Sequence, residues 1–380
     1  MIINALAAKK RGGGGFQIAY NFIKYAITHP FQDIDFYYLI SKDLYDDINP
    51  LLKSQERFYS VFPNQPDKKT LRQVQKGIRE IELNIKPDLI FSLLFSSYFT
   101  FKTREVARFA NSWITNTNKY VWESLSIRER IVMYLNILYK RARLRKCDFF
   151  VTQTETVKSG LIRVTGLSAE RIKVVPNVLP DVYHSLTIPD VKKDNKQFNI
   201  IYPSAEMSHK NLEIIPEVIR IMRQKDKELD FVFHLTLPKD CRTIRKIEER
   251  CDAYHCKDYL VNHGRLSQVE LAQVYSTCDA CFLPSLLETF SATSLESMYF
   301  GLFIIASNFT FHTDVIGEAG IYFEPKDAND ASDKIIQIIK SKALQENLCK
   351  KMKERIRLYD NYDSYFSETV NFLKSITSNK

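Results

Sequence analysis

Residues 279–308 read DACFLPSLLETFSATSLESMYFGLFIIASN and carry the most informative pattern in the chain. A short apolar run comes first, a polar loop follows it, and a second apolar run begins after Gly301. The segment between the runs predicts a helix over Ala292–Phe300, flanked by strands over Cys281–Leu283 and Phe303–Ala306. Two strands joined by one helix lie parallel in the same sheet.

The same alternation of apolar runs and helical patterns continues through both halves of the chain. Predicted strands cover residues 2–7, 34–41, 89–95, 149–152, 172–175, 198–203, 231–237, 259–263, 281–283 and 303–306. Predicted helices cover residues 16–28, 70–85, 126–146, 155–165, 210–225, 243–255, 267–276, 292–300, 330–342 and 344–359. Such alternation predicts parallel sheets that are covered by helices on both faces.

We therefore predict an α/β fold of two doubly wound, Rossmann-like domains that face a central cleft. The first domain covers residues 1–178, a polar linker covers 179–197, and the second domain covers 198–358. Residues 359–380 are expected to form a helix that packs back on the first domain. Ligands of such folds bind at the carboxyl ends of the strands, so the cleft is the expected site.

The composition is that of a folded protein whose charge is unevenly distributed. The 380 residues are 45% hydrophobic and 26% charged, with a formal net charge of +9. Up to residue 177 there are 28 basic and 16 acidic residues, whereas the remainder has 26 and 29. A basic half suggests nucleic acid, an anionic membrane surface or a phosphorylated substrate as partner. No nucleic-acid-binding module accompanies the charge, so we predict no nucleic acid partner.

Two patterns look like metal sites but are predicted to be structural. One is the set of Cys251, Cys256, Cys278, Cys281 and His255, in which the C-x-x-C pair falls in a strand and points to opposite faces. The other is Asp33-Ile34-Asp35, which we interpret as the polar start of a strand. We therefore predict no metal site and no cofactor.

Several features favour the cytoplasm as the location of the protein. The seven cysteines are scattered, which is typical of a reducing compartment. The longest apolar stretch, residues 88–101, is too short to span a membrane. The first residues place apolar side chains before basic ones, which is the reverse of a secretory signal.

The loop and helix within residues 279–308 favour a nucleotide sugar as ligand. The backbone amides of Phe290, Ser291, Ala292 and Thr293 would point out of a helix N-terminus, where they attract phosphate. The carboxylates of Glu288 and Glu296 repel phosphate and are suited to accept hydrogen bonds from hydroxyl groups instead. A nucleotide sugar offers hydroxyls on both sides of its diphosphate.

On these residues the chain resembles the retaining family 4 glycosyltransferases, which have the GT-B fold. The family signature is a glutamate, seven residues and a second glutamate, here Glu288-TFSATSL-Glu296. The segments CDACFLPS, GLFIIASN, MSHKNLE, VVPNV, HGRLSQVELAQVY and TQTETVKSGL are also similar to the family pattern. The resemblance implies retaining transfer, without a bound metal, of a hexosyl-type sugar from a UDP- or GDP-linked donor.

The resemblance also implies roles for individual residues. Glu288 would contact the donor sugar and Lys210 the diphosphate, as the catalytic pair, while Glu296 would contact the ribose. The amides of Phe290, Ser291 and Ala292, with Thr293, would hold the phosphates. Gly264 and Arg265 would flank the base, and Asn177 lies at the domain junction on the donor side. The cluster Gly12, Gly13, Gly14 and Gly15 stands where the family has its first glycine loop.

Some positions depart from the family pattern. The family commonly has an arginine five residues before the lysine, and this position is Ala205. The family's frequent acceptor-side histidine is also missing, and residues near Asn111 and Trp113 are candidates for the acceptor pocket. Core packing is the alternative for Trp113.

A basic segment, Arg128–Lys146, mixes Lys and Arg with aliphatic and tyrosine side chains at helical spacing. A solvated surface helix and a peripheral contact with anionic lipid are both open, and lipid-linked acceptors would explain the second. We expect a glycan or lipid-linked saccharide acceptor in cell-surface polysaccharide or glycolipid synthesis. The alternatives are a catalytically degenerate partner subunit and a nucleotide-sugar epimerase of the same fold.

Overall fold

The computed structural model describes residues 1–9, 14–29, 31, 33–52, 59–64, 68–95, 99–186, 197–359 and 361–378. Within these residues the strands are β1 Ile2–Ala5, β2 Tyr37–Ser41, β3 Tyr59–Phe62, β4 Ile90–Ser92, β5 Glu105–Arg108, β6 Phe149–Thr152, β7 Ile172–Val174, β8 Phe198–Tyr202, β9 Phe231–Leu235, β10 Leu260–Asn262, β11 Ala280–Leu283, β12 Phe303–Ser307 and β13 Gly320–Phe323. The helices are α1 Gly14–Thr28, α2 Lys42–Leu52, α3 Lys68–Ile85, α4 Ser112–Thr115, α5 Lys119–Glu123, α6 Ile127–Leu144, α7 Glu155–Thr165, α8 Asp181–Ser185, α9 Ile215–Lys225, α10 Arg242–Ala253, α11 Gln268–Thr277, α12 Ala292–Tyr299, α13 Thr310–Ile316, α14 Ala328–Lys340, α15 Lys342–Ile356 and α16 Tyr362–Ser378.

The strands form two parallel sheets, one in each half of the chain. The first sheet has the order β3-β2-β1-β4-β5-β6-β7, and the second has the order β10-β9-β8-β11-β12-β13. In both sheets the strand order reverses at the centre, where β1 lies between β2 and β4 and β8 lies between β9 and β11. Such reversal points open a crevice at the carboxyl ends of the strands. The predicted pair of doubly wound α/β domains is confirmed.

The central strands are apolar because helices cover both of their faces. All four residues of β1 and of β11 are buried, and the strands therefore lack the alternation of a half-exposed sheet. The helices of each half supply the covering side chains. The largest buried cluster surrounds the second sheet, and a separate one lies between α1, α2, α16 and the first sheet.

The last helix, α16, packs on the first domain although it follows the second domain in the sequence. Phe366 is fully buried, and its ring lies 4.8 Å from that of Phe22 in α1. Val370 and Leu373 are also fully buried in the same cluster. The chain therefore crosses between the domains twice.

Three strands were not predicted from the sequence. β5 has the sequence Glu105-Val-Ala-Arg108, and its charged ends do not look like those of a buried strand. In the structure Arg108 is nevertheless only 1% exposed. β3 has no fully buried residue, and β13 begins at a glycine.

The helix predicted from Lys210 begins five residues later, at Ile215. Residues 208–210 and 212–214 form short 3₁₀ turns instead. Asn211 separates the turns with a φ of 53°, a left-handed conformation that ends the first turn.

The two apparent metal patterns take part in other contacts. Asp33 and Asp35 lie at the amino end of β2, at the opposite edge of the sheet from the crevice, and Asp33 pairs with Lys374 of α16 at 3.4 Å. None of the seven cysteines takes part in a disulfide bond. In the described part of the chain no group of three or more His, Cys, Asp or Glu side chains comes together as a metal site.

Replacement of Phe366 by alanine tests the role of α16. We expect Phe366→Ala to lower the free energy of unfolding by about 3–5 kcal/mol, because it leaves a cavity between α16 and α1. Urea denaturation followed by fluorescence measures this change. Ser367→Ala, an exposed position on the same helix, is the control and should change little. Equal midpoints for the two variants would show that α16 does not stabilise the first domain.

Candidate active site

A cavity of about 450 Å³ lies in the cleft between the two domains. The first domain and α16 line one side, and α11 with the loop between β11 and α12 lines the other. Of the residues predicted from the sequence, those that line it are Gly14, Gly15, Asn177, Phe290, Ala292 and Glu296. Gly12 and Gly13 lie outside the described residues. The cavity is therefore formed by both halves of the chain, at the carboxyl ends of the strands.

Glu296 is held in this cavity by two tyrosines. The hydroxyl of Tyr183 donates to Oε1 at 3.0 Å, and the hydroxyl of Tyr275 donates to Oε2 at 2.7 Å. Burial raises the pKa of Glu296, and the two hydrogen bonds oppose that rise. The carboxylate is thus fixed in position and still has acceptor capacity for a ligand hydroxyl.

The N-terminus of α12 opens on the same cavity. Ala292 is exposed and lines the cavity, whereas Phe290 and Ser291 are 8% exposed. Ser291 occupies the N-cap position, but its side chain accepts no capping hydrogen bond. The first amides of the helix, including that of Thr293, remain suited to bind an anion.

Lys210 and Glu288 form an ion pair with 2.5 Å between Nζ and Oε1. Their side chains are 22% and 14% exposed. Burial alone would lower the pKa of Lys210, but the attraction of Glu288 outweighs it and raises the pKa. Burial would likewise raise the pKa of Glu288, yet the nearby Lys210 cation holds it below its usual value. Both groups are therefore charged at neutral pH.

The two loops that carry this pair are tied together. The amide of Leu286 donates to the carbonyl of His209 at 2.7 Å. The hydroxyl of Tyr202 contacts the carbonyl of Lys210 at 3.3 Å and the hydroxyl of Ser285 at 2.8 Å. These contacts fix Lys210 and Glu288 relative to each other.

His312 lies fully buried beside the pair. Burial lowers its pKa to about 4, so the ring is neutral at pH 7. Neither ring nitrogen has a hydrogen-bond partner within the described ranges. No sequence pattern indicated this histidine, because it falls in α13, downstream of the motif from Glu288 to Glu296.

Trp113 lies at the domain interface, close to the ion pair. Its ring meets the edge of Trp122 at 6.0 Å and that of His209 at 6.2 Å. It packs with Leu286 and Leu287 of the second domain, so it takes part in interdomain packing. Asn111 sits at the N-cap of α4 without a capping hydrogen bond.

Gly264 and Arg265 do not reach the cavity. Gly264 has a φ of 81°, which a glycine adopts readily, and Arg265 is exposed. Gln268, at the start of α11, lines the cavity from this side instead. Their predicted contact with the base remains a prediction.

Arg108 and Gln153 line the cavity from the ends of β5 and β6 but were not predicted from the sequence. Each residue is 1% exposed. A signal was present, because Gln153 directly follows an apolar strand. Arg108 gave none, since β5 was not recognised.

The second half of the chain is similar in sequence to known proteins. Residues 186–358 match the family described as Glycosyl transferases group 1. The matched region includes the whole second domain. A stretch of 102 residues is 30% identical to the sulfoquinovosyl transferase SQD2 of Arabidopsis thaliana, and it spans 26% of this chain and 20% of that relative. The resemblance to family 4 glycosyltransferases is thus confirmed for the glycosyltransferase domain.

Solved structures extend the likeness of fold to the whole chain. Sucrose-phosphate synthase from Thermosynechococcus elongatus has a TM-score of 0.71 at 15% identity and covers 100% of this chain and 99% of its own. HepE from Anabaena, solved with UDP and glucose, has a TM-score of 0.68 at 14% identity and covers 99% and 100%. A glycosyltransferase from Rickettsia africae has a TM-score of 0.68 at 17% identity and covers 100% and 99%. The GT-B fold is therefore confirmed.

No helix within the described residues is both long and apolar enough to cross a bilayer.

Replacement of Glu288 by glutamine tests the electrostatics of the ion pair. Lys210 would keep its charge without a partner, so we expect the free energy of unfolding at pH 7 to fall by about 3 kcal/mol. The pKa of Glu288 is lower in the folded protein than its ordinary value of 4.5, so its stabilisation is present above that pH and is lost as the pH falls through the folded-state pKa. Urea denaturation at pH 7 and below pH 4 should show the difference from wild type shrinking at the lower pH.

Glu213→Gln provides the control, because it removes an exposed ion pair with Lys246 at 3.0 Å. Exposed pairs contribute little, so this variant should unfold like wild type. The double variant Lys210→Met/Glu288→Gln should regain part of the lost stability. Identical unfolding of Glu288→Gln and Glu213→Gln at pH 7 would contradict the interpretation.

Proposed function

We propose that this protein is a retaining glycosyltransferase that moves a sugar from a UDP- or GDP-linked donor to a glycan or lipid-linked saccharide acceptor. The observation that carries the proposal is the shared cleft, in which the fixed carboxylate of Glu296 lies beside the open N-terminus of α12. The carboxylate suits a ribose hydroxyl and the helix N-terminus suits a diphosphate. The family match of the second domain supports this reading.

Lys210 and Glu288 are proposed to act at the reacting end of the donor. Lys210 would stabilise the negative charge that develops on the departing diphosphate, together with the amides of α12. Glu288 would accept a hydrogen bond from a hydroxyl of the donor sugar and keep Lys210 charged and oriented. No resident metal is needed for this, because Lys210 and the helix supply the positive charge.

Retention of configuration follows when attack and departure occur on the same face of the sugar. The bond between the anomeric carbon and the phosphate oxygen breaks, and the bond to the acceptor oxygen forms on that face. The leaving phosphate takes the proton of the acceptor hydroxyl. This step requires only the diphosphate as base.

The proposed catalytic pair is tested by Lys210→Met and Glu288→Gln. Either change should lower turnover of the accepted nucleotide sugar by about 100-fold or more, since each removes charge stabilisation at the leaving group. Release of nucleoside diphosphate, after a thermal-shift screen has identified the donor, measures turnover. Lys246→Met and Glu213→Gln are the matched controls from an exposed ion pair.

Three results would contradict the proposal. Nucleotide binding without turnover would indicate a degenerate partner subunit. Conversion of the donor into another nucleotide sugar without release of nucleoside diphosphate, seen by NMR, would indicate an epimerase. Full activity in both site variants would remove the pair from the site.

We further propose that α6 binds an anionic membrane surface at the cytoplasmic face. Ile137 and Leu144 anchor the helix in the first domain. On another face Ile127, Ile131 and Leu135 are 76%, 58% and 60% exposed and follow one another at four-residue spacing. Basic residues of Arg128–Lys146 accompany this apolar stripe, which is the pattern of a helix that lies in a lipid interface.

Vesicle sedimentation tests this contact. Wild type should bind vesicles that contain phosphatidylglycerol more strongly than vesicles of phosphatidylcholine alone, and added salt should weaken the binding. Ile131→Glu/Leu135→Glu should abolish it, because the charges prevent insertion of the stripe. Leu83→Glu, at a side chain that is 72% exposed on α3, is the control. Binding that survives the α6 double variant would contradict the assignment.

A further inference from the structure

Arg108 is a buried cation whose hydrogen-bonding capacity is largely unused. Its Nη2 donates to Oδ1 of Asn177 at 2.6 Å. Its Nε and Nη1 have no partner within the described residues, although the side chain is 1% exposed. A guanidinium cannot lose its proton at neutral pH, so this arrangement is unfavourable unless something else binds there.

Gln153, one strand away, also has buried polar atoms without a hydrogen-bond partner among the described residues. It directly follows β6, which pairs with β5 so that Arg108 lies opposite Val151. Both polar atoms of its side-chain amide are buried without a partner in the part of the chain that the structure describes. Buried amides normally find partners, so two such neighbours mark a place where a ligand completes the hydrogen bonding.

No carboxylate of the described residues forms an ion pair with Arg108. Glu296 also lines the cavity, but its two oxygens accept from Tyr183 and Tyr275, and no ion pair joins it to Arg108 within the described residues. Glu105, at the other end of β5, accepts from Ser92. Arg108 is therefore the only cation among the described residues that line the cavity.

We propose that Arg108 and Gln153 bind an anionic group of a substrate, a phosphate or a carboxylate, in the cleft. Arg108 supplies the charge and two unused donor nitrogens, and Gln153 supplies an amide donor. Asn177 orients the guanidinium from the domain junction. This inference rests on the proposed function, because it concerns the substrate of that same cleft.

The anionic group has two sources in a transfer reaction. One is the diphosphate of the donor, because the N-terminus of α12 opens on the same cavity and the exposed Ala205 supplies no cation to the second domain. The other is an acidic group on the acceptor, since Arg108 and Gln153 both belong to the first domain. The chemistry of recognition is the same for both, and binding experiments separate them.

Arg108→Met tests the subsite, because methionine keeps much of the volume and removes the charge. Calorimetry should use UDP and GDP, with uridine and guanosine as probes that lack phosphate. If the donor is the source, the variant should bind the better diphosphate at least about tenfold more weakly, since hydrogen bonds to a charged group are lost, and the matching nucleoside equally well.

The acceptor source gives a different result. The affinity for the nucleoside diphosphate would then be unchanged in Arg108→Met. Wild type loaded with that nucleotide would be stabilised by glucuronate or glucose 6-phosphate more than by glucose, and the variant would lose this preference. Either outcome supports the subsite.

Arg141→Met is the control that separates a loss of ligand binding from a loss of stability. The Arg141 guanidinium donates to the carbonyl of Ile114 at 3.0 and 2.9 Å, so its loss should lower the melting temperature. Without ligand, Arg108→Met should melt at or above the wild-type temperature, because an uncompensated buried charge is removed. Melting below wild type, together with unchanged binding of every probe, would overturn the proposal and make Arg108 a structural residue.

Stabilisation by inorganic phosphate and pyrophosphate distinguishes failure of the proposed function from failure of the anion subsite. If wild type binds no nucleotide, the proposed function fails, but stabilisation of wild type and not of Arg108→Met by these anions would still support the subsite. If nucleotides bind wild type and Arg108→Met equally, and no anionic probe distinguishes the two proteins, the subsite fails while the proposed function stands.

Discussion

Leu286 and Leu287 lie in the loop between β11 and α12, and they are only 1% and 2% exposed. They pack against Val121, Trp113 and Trp122 of the first domain, which makes this loop part of an apolar contact between the two halves. The next residue is Glu288. Because the loop is held at both of its faces, the position of the ion pair and the start of α12 depend on the packing of the domains.

The polar contacts across the interface act on the same region. The side chain of Asn118 donates to the carbonyl of Leu286 at 2.7 Å, and the amide of Thr156 donates to the carboxylate of Asp314 at 2.9 Å. Asp314 belongs to α13, the helix that also carries the buried His312. A change in domain orientation would therefore move the surroundings of Glu288 on two sides.

Charge is distributed in the cleft in a way that favours an anion. The attraction between Lys210 and Glu288 keeps both ionised in a mostly buried place. The N-terminus of α12 adds partial positive charge, and Arg108 adds a full one from the opposite domain. Glu296 is the single carboxylate among the described residues that line the cavity, and each of its oxygens accepts a hydrogen bond from a tyrosine hydroxyl.

The sequence by itself determined the fold class and the family, because both depend on local order. Strand and helix alternation is visible as periodicity, and the spacing of Glu288 and Glu296 is a property of one short segment. The tertiary structure alone decided which residues share the cleft. Arg108, Gln153 and His312 are far apart in sequence and sit in elements whose local pattern is ordinary. Only the parallel pairing of β5, β6 and β7 brings Arg108, Gln153 and Asn177 together, since equivalent ends of parallel strands meet at one edge of a sheet.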